Sequence, residues 1–189
     1  MIRTASPKDF PDILEIKKQY ALNISEISNP EYRKSAEKSG FLLPGDYTKE
    51  EMQELINEIF LVDEEYGKVV AYFSIISKQE LNPKSEREWL IPELKDVYFS
   101  SPHGEIWGMA VSEEFGNRGI AKKLLERGLA EVKNWGASYL FSFVVYKPIS
   151  NLASIRFHER NGFQRAAIRQ PSPFMGIDNY QSIVYARKI

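Results

Sequence analysis

A glycine-rich turn joins an apolar segment to an amphipathic helical segment in the middle of the chain. The stretch reads VSEEFGNRGIAKKLL and covers residues 111–125. A helix that begins near Gly119 has no intrahelical partner for its first backbone N–H groups, and its macrodipole places roughly half a positive charge at that end. Gly116 and Gly119 let the backbone come close to a ligand. The stretch therefore predicts a strand, an anion-binding turn and a helix, in that order.

Basic side chains around the turn favour a phosphate or pyrophosphate as the anion. Arg118, Lys122 and Lys123 can add positive charge around a group that the backbone amides hold. The alternative is that the glycines serve only the turn and that the lysines are solvated. The chain has neither G-x-G-x-x-G in its first strand-to-helix turn nor a Lys-Ser/Thr pair after its last glycine. These absences argue against a dinucleotide fold and a P-loop.

Composition narrows the classes of partner. Among 189 residues, 25 are basic and 26 acidic, and a net charge of -1 gives no overall attraction to nucleic acid or to an anionic membrane. The chain has no cysteine and only two histidines, so we expect no disulfide, thiolate nucleophile or metal site. The first residues lack the pattern of a signal peptide, and the longest apolar run, 69–77, is shorter than a membrane span of about 20 residues. We therefore expect a cytoplasmic protein.

Periodicity and turn residues predict alternating strands and helices within one domain, 1–189. The predicted strands are 2–5, a hairpin of 59–62 and 69–76, then 105–112, 138–146, 163–169 and 182–187. The predicted helices run from a cap at Ser6 to about Leu22, from a capping box at 48–51, and over 120–135 and 151–160, with a turn at 44–45. The polar segment 78–103 is predicted to be a long connection with a small apolar island near Trp89. This order indicates an α/β (α+β) domain with a mixed sheet.

Two segments resemble motifs of the GNAT-type N-acetyltransferase superfamily. GNRGIA, residues 116–121, is similar to Q/R-x-x-G-x-G/A, with Gly116 where the family usually has Gln or Arg. NLASIRFHERNGF, residues 151–163, is similar to N-x-x-A/S…Y-E-K-L-G-F. The resemblance covers about residue 57 to the end, and the first helices more loosely. It implies a GNAT-like fold, in which helices flank a mixed, mostly antiparallel central sheet of about six to seven strands.

The resemblance also implies acetyl-CoA as the cosubstrate. It places the pyrophosphate mainly on backbone amides of the loop, so the departure at Gly116 is expected to leave binding intact. The pantetheine arm would pair with backbone groups of the strand before the loop and with Asn151 on its other side. The cofactor-binding residues implied in this way are Met109, Ala110, Val111, Gly116, Asn117, Arg118, Gly119, Ile120, Ala121, Lys122 and Asn151.

Acetyl transfer to an amine needs a base, and Glu105 is the candidate. Period-two alternation predicts that Glu105 shares a strand face with Trp107, Met109 and Val111. Apolar neighbours would raise the proton affinity of its carboxylate toward that of a useful base. Glu105 also resembles the glutamate on the equivalent strand of histone-type members. The alternative is a glutamate at the start of a strand that ends in solvent.

The leaving thiolate needs a proton, for which the sequence offers two side chains. His158 stands where the second motif usually has tyrosine, and imidazolium can donate near neutral pH. Tyr146, at the end of the preceding strand, is the other candidate. A water could also serve, because a thiolate has modest proton affinity. The alternative for His158 is a packing role within its helix.

The resemblance implies that the protein is an N-acetyltransferase that acts on a primary amine. A small-molecule acceptor is slightly favoured over a protein N-terminus or lysine. The alternative function is a non-catalytic acyl-CoA-binding module, because the motif tyrosine is missing. The sequence is also compatible with a homodimer. Segments 78–103 and 170–180 are predicted to form the walls of the acceptor pocket.

Overall fold

The computed structural model describes residues 1–43, 49–78 and 86–189. The strands in this part of the chain are β1 (Ile2–Thr4), β2 (Ile59–Glu65), β3 (Lys68–Lys78), β4 (Arg87–Trp89), β5 (His103–Val111), β6 (Tyr139–Lys147), β7 (Gln164–Arg169), β8 (Ser172–Phe174) and β9 (Ile177–Lys188). The α-helices are α1 (Phe10–Gln19), α2 (Pro30–Ser39), α3 (Lys49–Ile56), α4 (Glu93–Ser100), α5 (Ile120–Asn134) and α6 (Leu152–Arg160). The predicted turn at 44–45 and the first residue of the predicted capping box lie outside the described residues.

The strands form one mixed sheet with the order β1-β2-β3-β5-β6-β9-β7-β4, and β8 pairs with β9. Neighbouring strands are antiparallel except for β5 and β6, which run parallel. The predicted mixed and mostly antiparallel sheet is confirmed, but the described residues contribute nine strands to it instead of six to seven. The additional strands β4 and β8 have three residues each, too few to show a period-two pattern.

Helices cover both faces of the sheet. On one face, the apolar stripe of α5 packs with α6 against residues such as Phe73 and Leu140. On the other face, α1 and α3 cover β2 and β3, whereas α4 covers β6, β9 and β7. A side chain at Gly128 would lie 2.5 Å from Phe73 Cε1, so this glycine allows α5 to pack closely on β3. None of the helices in the described ranges has both the length and the apolar character needed to cross a bilayer.

The segment 78–103 was predicted to be a connection, but it also contains regular structure. Its described part contains β4 and α4, and the apolar island around Trp89 packs with Leu94 and Tyr98 against β6, β7 and β9. Strand β4 forms the far edge of the sheet by pairing with β7. Helix α1 is also shorter than predicted, because it ends at Gln19 and a one-turn 3-10 helix, Pro7–Asp9, precedes it. The predicted connection therefore covers one face of the sheet and supplies side chains to it.

Candidate functional site

A gap opens between the two parallel strands at the centre of the sheet. Strands β5 and β6, both wholly described, pair only at Gly104–Leu140, Glu105–Phe141 and Ile106–Ser142. Beyond these residues, the remaining backbone of β5 has no strand partner on its β6 side. A mid-sheet edge of this kind leaves N–H and C=O groups available to a ligand.

Two of the three β5 residues predicted to pair with a ligand present their backbone groups to this gap. Ser112 N donates to Val70 O at 2.8 Å, and antiparallel ladders alternate, so the backbone groups of Met109 and Val111 point away from β3. By the same alternation, the backbone of Ala110 pairs with β3. The Val111 carbonyl already accepts a hydrogen bond from Tyr20 Oη at 2.7 Å. Nothing in the sequence around Tyr20 indicates this contact, which joins residues far apart in the chain.

The predicted anion-binding turn lies at the open end of the gap, where α5 begins. Gly119 is the N-cap of α5 and has a left-handed conformation with φ 76°, and Asn117 also has a positive φ of 62°. No side chain caps α5, and its first turn carries no acidic residue. The first N–H groups of α5, from Ile120 through Lys122, therefore have no side-chain acceptor among the described residues. This end of α5 is electropositive and exposed.

The basic side chains near the turn are partly occupied by neighbours. Arg118 Nη2 donates to the Glu114 carbonyl at 3.2 Å, and its guanidinium lies 4.7 Å from the Phe115 ring centroid. Lys122 Nζ is 3.8 Å from Glu126 Oε1 one turn later in the helix. Both basic side chains are exposed, and Arg118 Nη1 also lies 3.9 Å from Glu65 Oε2. Binding in the turn would consequently depend more on backbone amides than on these charges.

Asn151 uses its side chain within the protein. Its Oδ1 caps α6 by accepting from Ser154 N at 3.1 Å, and its Nδ2 donates to the Phe41 carbonyl at 2.7 Å. The side chain is buried. The predicted hydrogen bond from Asn151 to a pantetheine arm is thus not favoured, because both side-chain groups already have partners. Asn151 instead fixes the start of α6 against the segment after α2.

A bulge determines which way Glu105 faces. The register between β3 and β5 shifts by one residue at Trp107. Ile106 and Met109 pack against the α5 side of the sheet, whereas Glu105 bonds a residue of α4 on the opposite side. The predicted common face of Glu105 with Met109 and Val111 is therefore wrong, because the extra residue interrupts the alternation. Trp107 itself remains 55% exposed.

Glu105 is buried at the point where the gap begins, beside polar groups of α4 and of its own strand. Tyr98 Oη donates to Glu105 Oε1 at 2.6 Å. His103 Nδ1 donates to the Ser101 carbonyl at 3.0 Å, which turns its Nε2 to within 3.6 Å of Glu105 Oε1. Burial, with the negative charge of Glu105, raises the pKa of Tyr98 above its usual range, so the phenol remains a donor at neutral pH. This role of Tyr98 is not predictable from the sequence, because it depends on the fold of α4 over β5.

His158 has the contacts of a packing histidine. It is 3% exposed, its Nδ1 donates to the Ser154 carbonyl at 2.7 Å, and its Nε2 lies 2.9 Å from Ser142 Oγ. Its ring stacks on Tyr185 at a centroid distance of 5.2 Å. Burial lowers the pKa of His158 to about 4, so the ring is neutral at physiological pH. A neutral ring with both nitrogens occupied is poorly suited to protonate a thiolate.

The buried state of His158 leads to a prediction about stability and pH. The unfolded chain takes up a proton on this ring below pH 6.5 whereas the folded chain does not until about pH 4, so stability falls as pH decreases through this window. The loss amounts to roughly 3 kcal/mol. Urea unfolding of the wild type and of His158→Gln between pH 7 and pH 4 measures it. The variant should lose less stability on acidification, and equal pH dependence in the two proteins would contradict the assignment.

Tyr146, the other acid candidate, lies on β6 four residues beyond Ser142, the last residue that pairs with β5. Its ring is partly buried against the α5 side of the sheet, with Lys147 Nζ 5.6 Å from its centroid. Among the described residues, its hydroxyl has no hydrogen-bond partner. Tyr146 is therefore better placed than His158 to donate a proton to a group in the gap.

The structure belongs to a well-populated group of folds. The profile of the acetyltransferase (GNAT) family matches residues 22–163. No curated protein gives a significant match. Similar solved structures include an N-acetyltransferase from Staphylococcus aureus Mu50, with 21% identity, TM-score 0.61 and coverage of 100% of this chain and 97% of that one. The PaiA N-acetyltransferase of Thermoplasma acidophilum, solved with coenzyme A, has 16% identity, TM-score 0.62 and coverage of 100% and 98%.

A GNAT-family acetyltransferase from Streptococcus pneumoniae, with 18% identity, has a TM-score of 0.63 and coverage of 100% and 98%. At these sequence identities, the similarity to the solved structures shows the fold alone. The family match, by contrast, includes both sequence motifs and the central strands β5 and β6 between which the gap opens. The chain therefore belongs to the GNAT acetyltransferase family.

Proposed function

We propose that the protein transfers an acetyl group from acetyl-CoA to a primary amine, with a small-molecule acceptor favoured. The main support for this proposal is that two binding features lie next to each other. The unpaired edge of β5 offers backbone hydrogen bonds to an extended chain such as pantetheine, and the uncapped start of α5 offers amides to a pyrophosphate. The PaiA structure holds coenzyme A, which supports the same ligand class here.

Glu105 is the proposed base for the acceptor. It lies at the start of the gap, on the sheet face opposite α5, so an amine would approach from the side of α1 and α4. Glu105, directly or through a water, takes a proton from the ammonium, and the neutral nitrogen attacks the thioester carbonyl. A C–N bond forms, the C–S bond breaks, and the sulfur leaves with the electron pair of that bond. The acetylated nitrogen loses its second proton to water, which leaves a neutral amide. The Tyr98 hydroxyl holds the Glu105 carboxylate in place during this step.

Tyr146 is the proposed donor to the leaving sulfur. We expect Tyr146→Phe to lower kcat by about tenfold, with acetyl-CoA affinity unchanged, because water can partly replace the phenol. His158→Gln, compared at a temperature where both variants are folded, should have little effect on kcat. Steady-state kinetics and calorimetry on the two variants provide the measurement. A larger loss of kcat in His158→Gln than in Tyr146→Phe would return the acid role to His158.

The replacement of the motif tyrosine by a buried histidine favours a second candidate, a non-catalytic acyl-CoA-binding module. Thiol release from acetyl-CoA, assayed with polyamines, amino acids, aminoglycosides and peptides, separates the two functions. Turnover with any amine supports the enzyme. Tight binding of acetyl-CoA without thiol release for the whole panel would support the binding module, and absence of binding would overturn both.

A further inference from the structure

Two arginines face each other across the strands β4 and β7, on the same sheet face as Glu105. Arg87 and Arg169 are in direct register in this antiparallel pair. Gln170 N donates to Glu86 O, which makes the neighbouring residues a hydrogen-bonded pair and places the arginines at a non-hydrogen-bonded position, where side chains are closest. Like charges directly opposite each other destabilise a sheet. Two guanidinium groups at this position therefore do not stabilise the sheet, which suggests that they have another role.

Aromatic rings hold each guanidinium in place. The Arg87 Cζ atom lies 4.9 Å from the centroid of the Tyr98 ring, and the Arg169 Cζ atom lies 5.3 Å from that of Phe174 and 5.6 Å from that of Tyr180. Stacking on a ring orients the Arg169 cation but leaves its in-plane N–H donors able to bind an anion. Within the described residues, Arg169 forms no ion pair. Burial, together with the nearby positive charge of Arg169, lowers the pKa of Arg87.

The same tyrosine contacts the arginine pair and the proposed base. Tyr98 Oη lies 2.6 Å from Glu105 Oε1 and 3.5 Å from Arg87 Nη2, so these two distances place the guanidinium within about 6 Å of the carboxylate. A molecule whose ammonium approaches Glu105 can thus present an anionic group to the arginines only if its two charges are a few atoms apart. Free amino acids have this arrangement, with a carboxylate that matches the planar guanidinium.

We propose that the acceptor is an amino acid, whose carboxylate Arg169 binds together with Arg87 while Glu105 receives the amine. This inference rests on the proposed acetyltransferase function and specifies its substrate class. Segment 170–180, through Phe174 and Tyr180, positions Arg169 for this contact.

The test compares free amino acids with amines that lack the carboxylate. Thiol release from acetyl-CoA is measured for phenylalanine with phenethylamine, methionine with 3-methylthiopropylamine, and tripeptides that begin with each amino acid. The amino acids should exceed the matched amines and the tripeptides by at least tenfold in kcat/KM. In Arg169→Met, KM for the amino acids should rise about 10- to 100-fold while the matched amines are unaffected. Arg169→Lys keeps the positive charge but not the planar guanidinium, so its KM for the amino acids should lie between those of the wild type and Arg169→Met.

Arg165→Met is the matched control, because Arg165 lies on the same strand but bonds Glu159 of α6 on the opposite face. It should retain the preference for amino acids. Equal or better use of the carboxylate-free amines or tripeptides by the wild type would overturn the inference, as would an unchanged preference in Arg169→Met.

A binding measurement separates this inference from the proposed function. Calorimetry titrates phenylalanine and phenethylamine into the protein saturated with coenzyme A, for the wild type and for Arg169→Met. Binding of phenylalanine that depends on Arg169 supports the arginine pair even if no thiol is released, and in that case only the catalytic proposal fails. Thiol release with carboxylate-free amines, combined with no binding of phenylalanine, overturns the arginine pair and leaves the acetyltransferase in place.

Discussion

Glu105→Gln is expected to lower kcat by roughly 10²–10⁴-fold, the usual cost of a lost general base, with acetyl-CoA affinity unchanged. Glutamine keeps the shape of the side chain and can still accept the Tyr98 hydrogen bond, but it cannot take a proton from an ammonium group. Activity should partly return at high pH, where the free amine is abundant. The measurement is a pH–rate profile of both proteins, with calorimetry of acetyl-CoA binding.

Glu88→Gln is the control for this prediction. Glu88 is an exposed glutamate of β4, one residue from Arg87 and therefore on the opposite face of the strand. Its substitution should leave kcat unchanged. Wild-type turnover in Glu105→Gln at neutral pH would show that Glu105 is a structural carboxylate, held by Tyr98 and not used in proton transfer.

Gly119→Val is expected to weaken acetyl-CoA binding by at least about tenfold. A side chain at Gly119 would meet no atom within 4 Å, so the effect comes from the backbone and not from a clash. At φ 76° a β-branched residue is strained by about 1–3 kcal/mol, and relief of this strain would turn the first amides of α5 away from their present direction. Calorimetry with acetyl-CoA measures the change directly.

Gly136→Val offers a closely matched control at the other end of the same helix. Gly136 has φ 79° and likewise nothing within 4 Å, so its substitution imposes similar strain far from the turn. Both variants should lose comparable stability, but only Gly119→Val should lose affinity. Unchanged affinity in Gly119→Val would remove the basis for placing the pyrophosphate at this turn, and equal losses in both would indicate a general effect of destabilisation.

Local sequence patterns were sufficient for most of the regular elements. The hairpin β2–β3, the strand β6 and the helices α5 and α6 were predicted to within a few residues, because side-chain periodicity and glycine turns encode them over short distances. The turn at Gly119 was predicted for the same reason, since a left-handed N-cap favours glycine wherever it occurs. Strands β4 and β8 and helices α2 and α4 were missed, because they are short or polar.

The sequence by itself therefore determined the family, the order of the main elements and the position of the glycine turn before α5. Only the tertiary structure decided how individual side chains are used. The bulge at Trp107 placed Glu105 on the face of α4, and packing gave the Asn151 and His158 side chains hydrogen-bond partners within the protein. The register of β4 against β7 brought Arg87 opposite Arg169. Such contacts join residues that are distant along the chain. They depend on strand register, bulges and burial, and short-range periodicity encodes none of these three features.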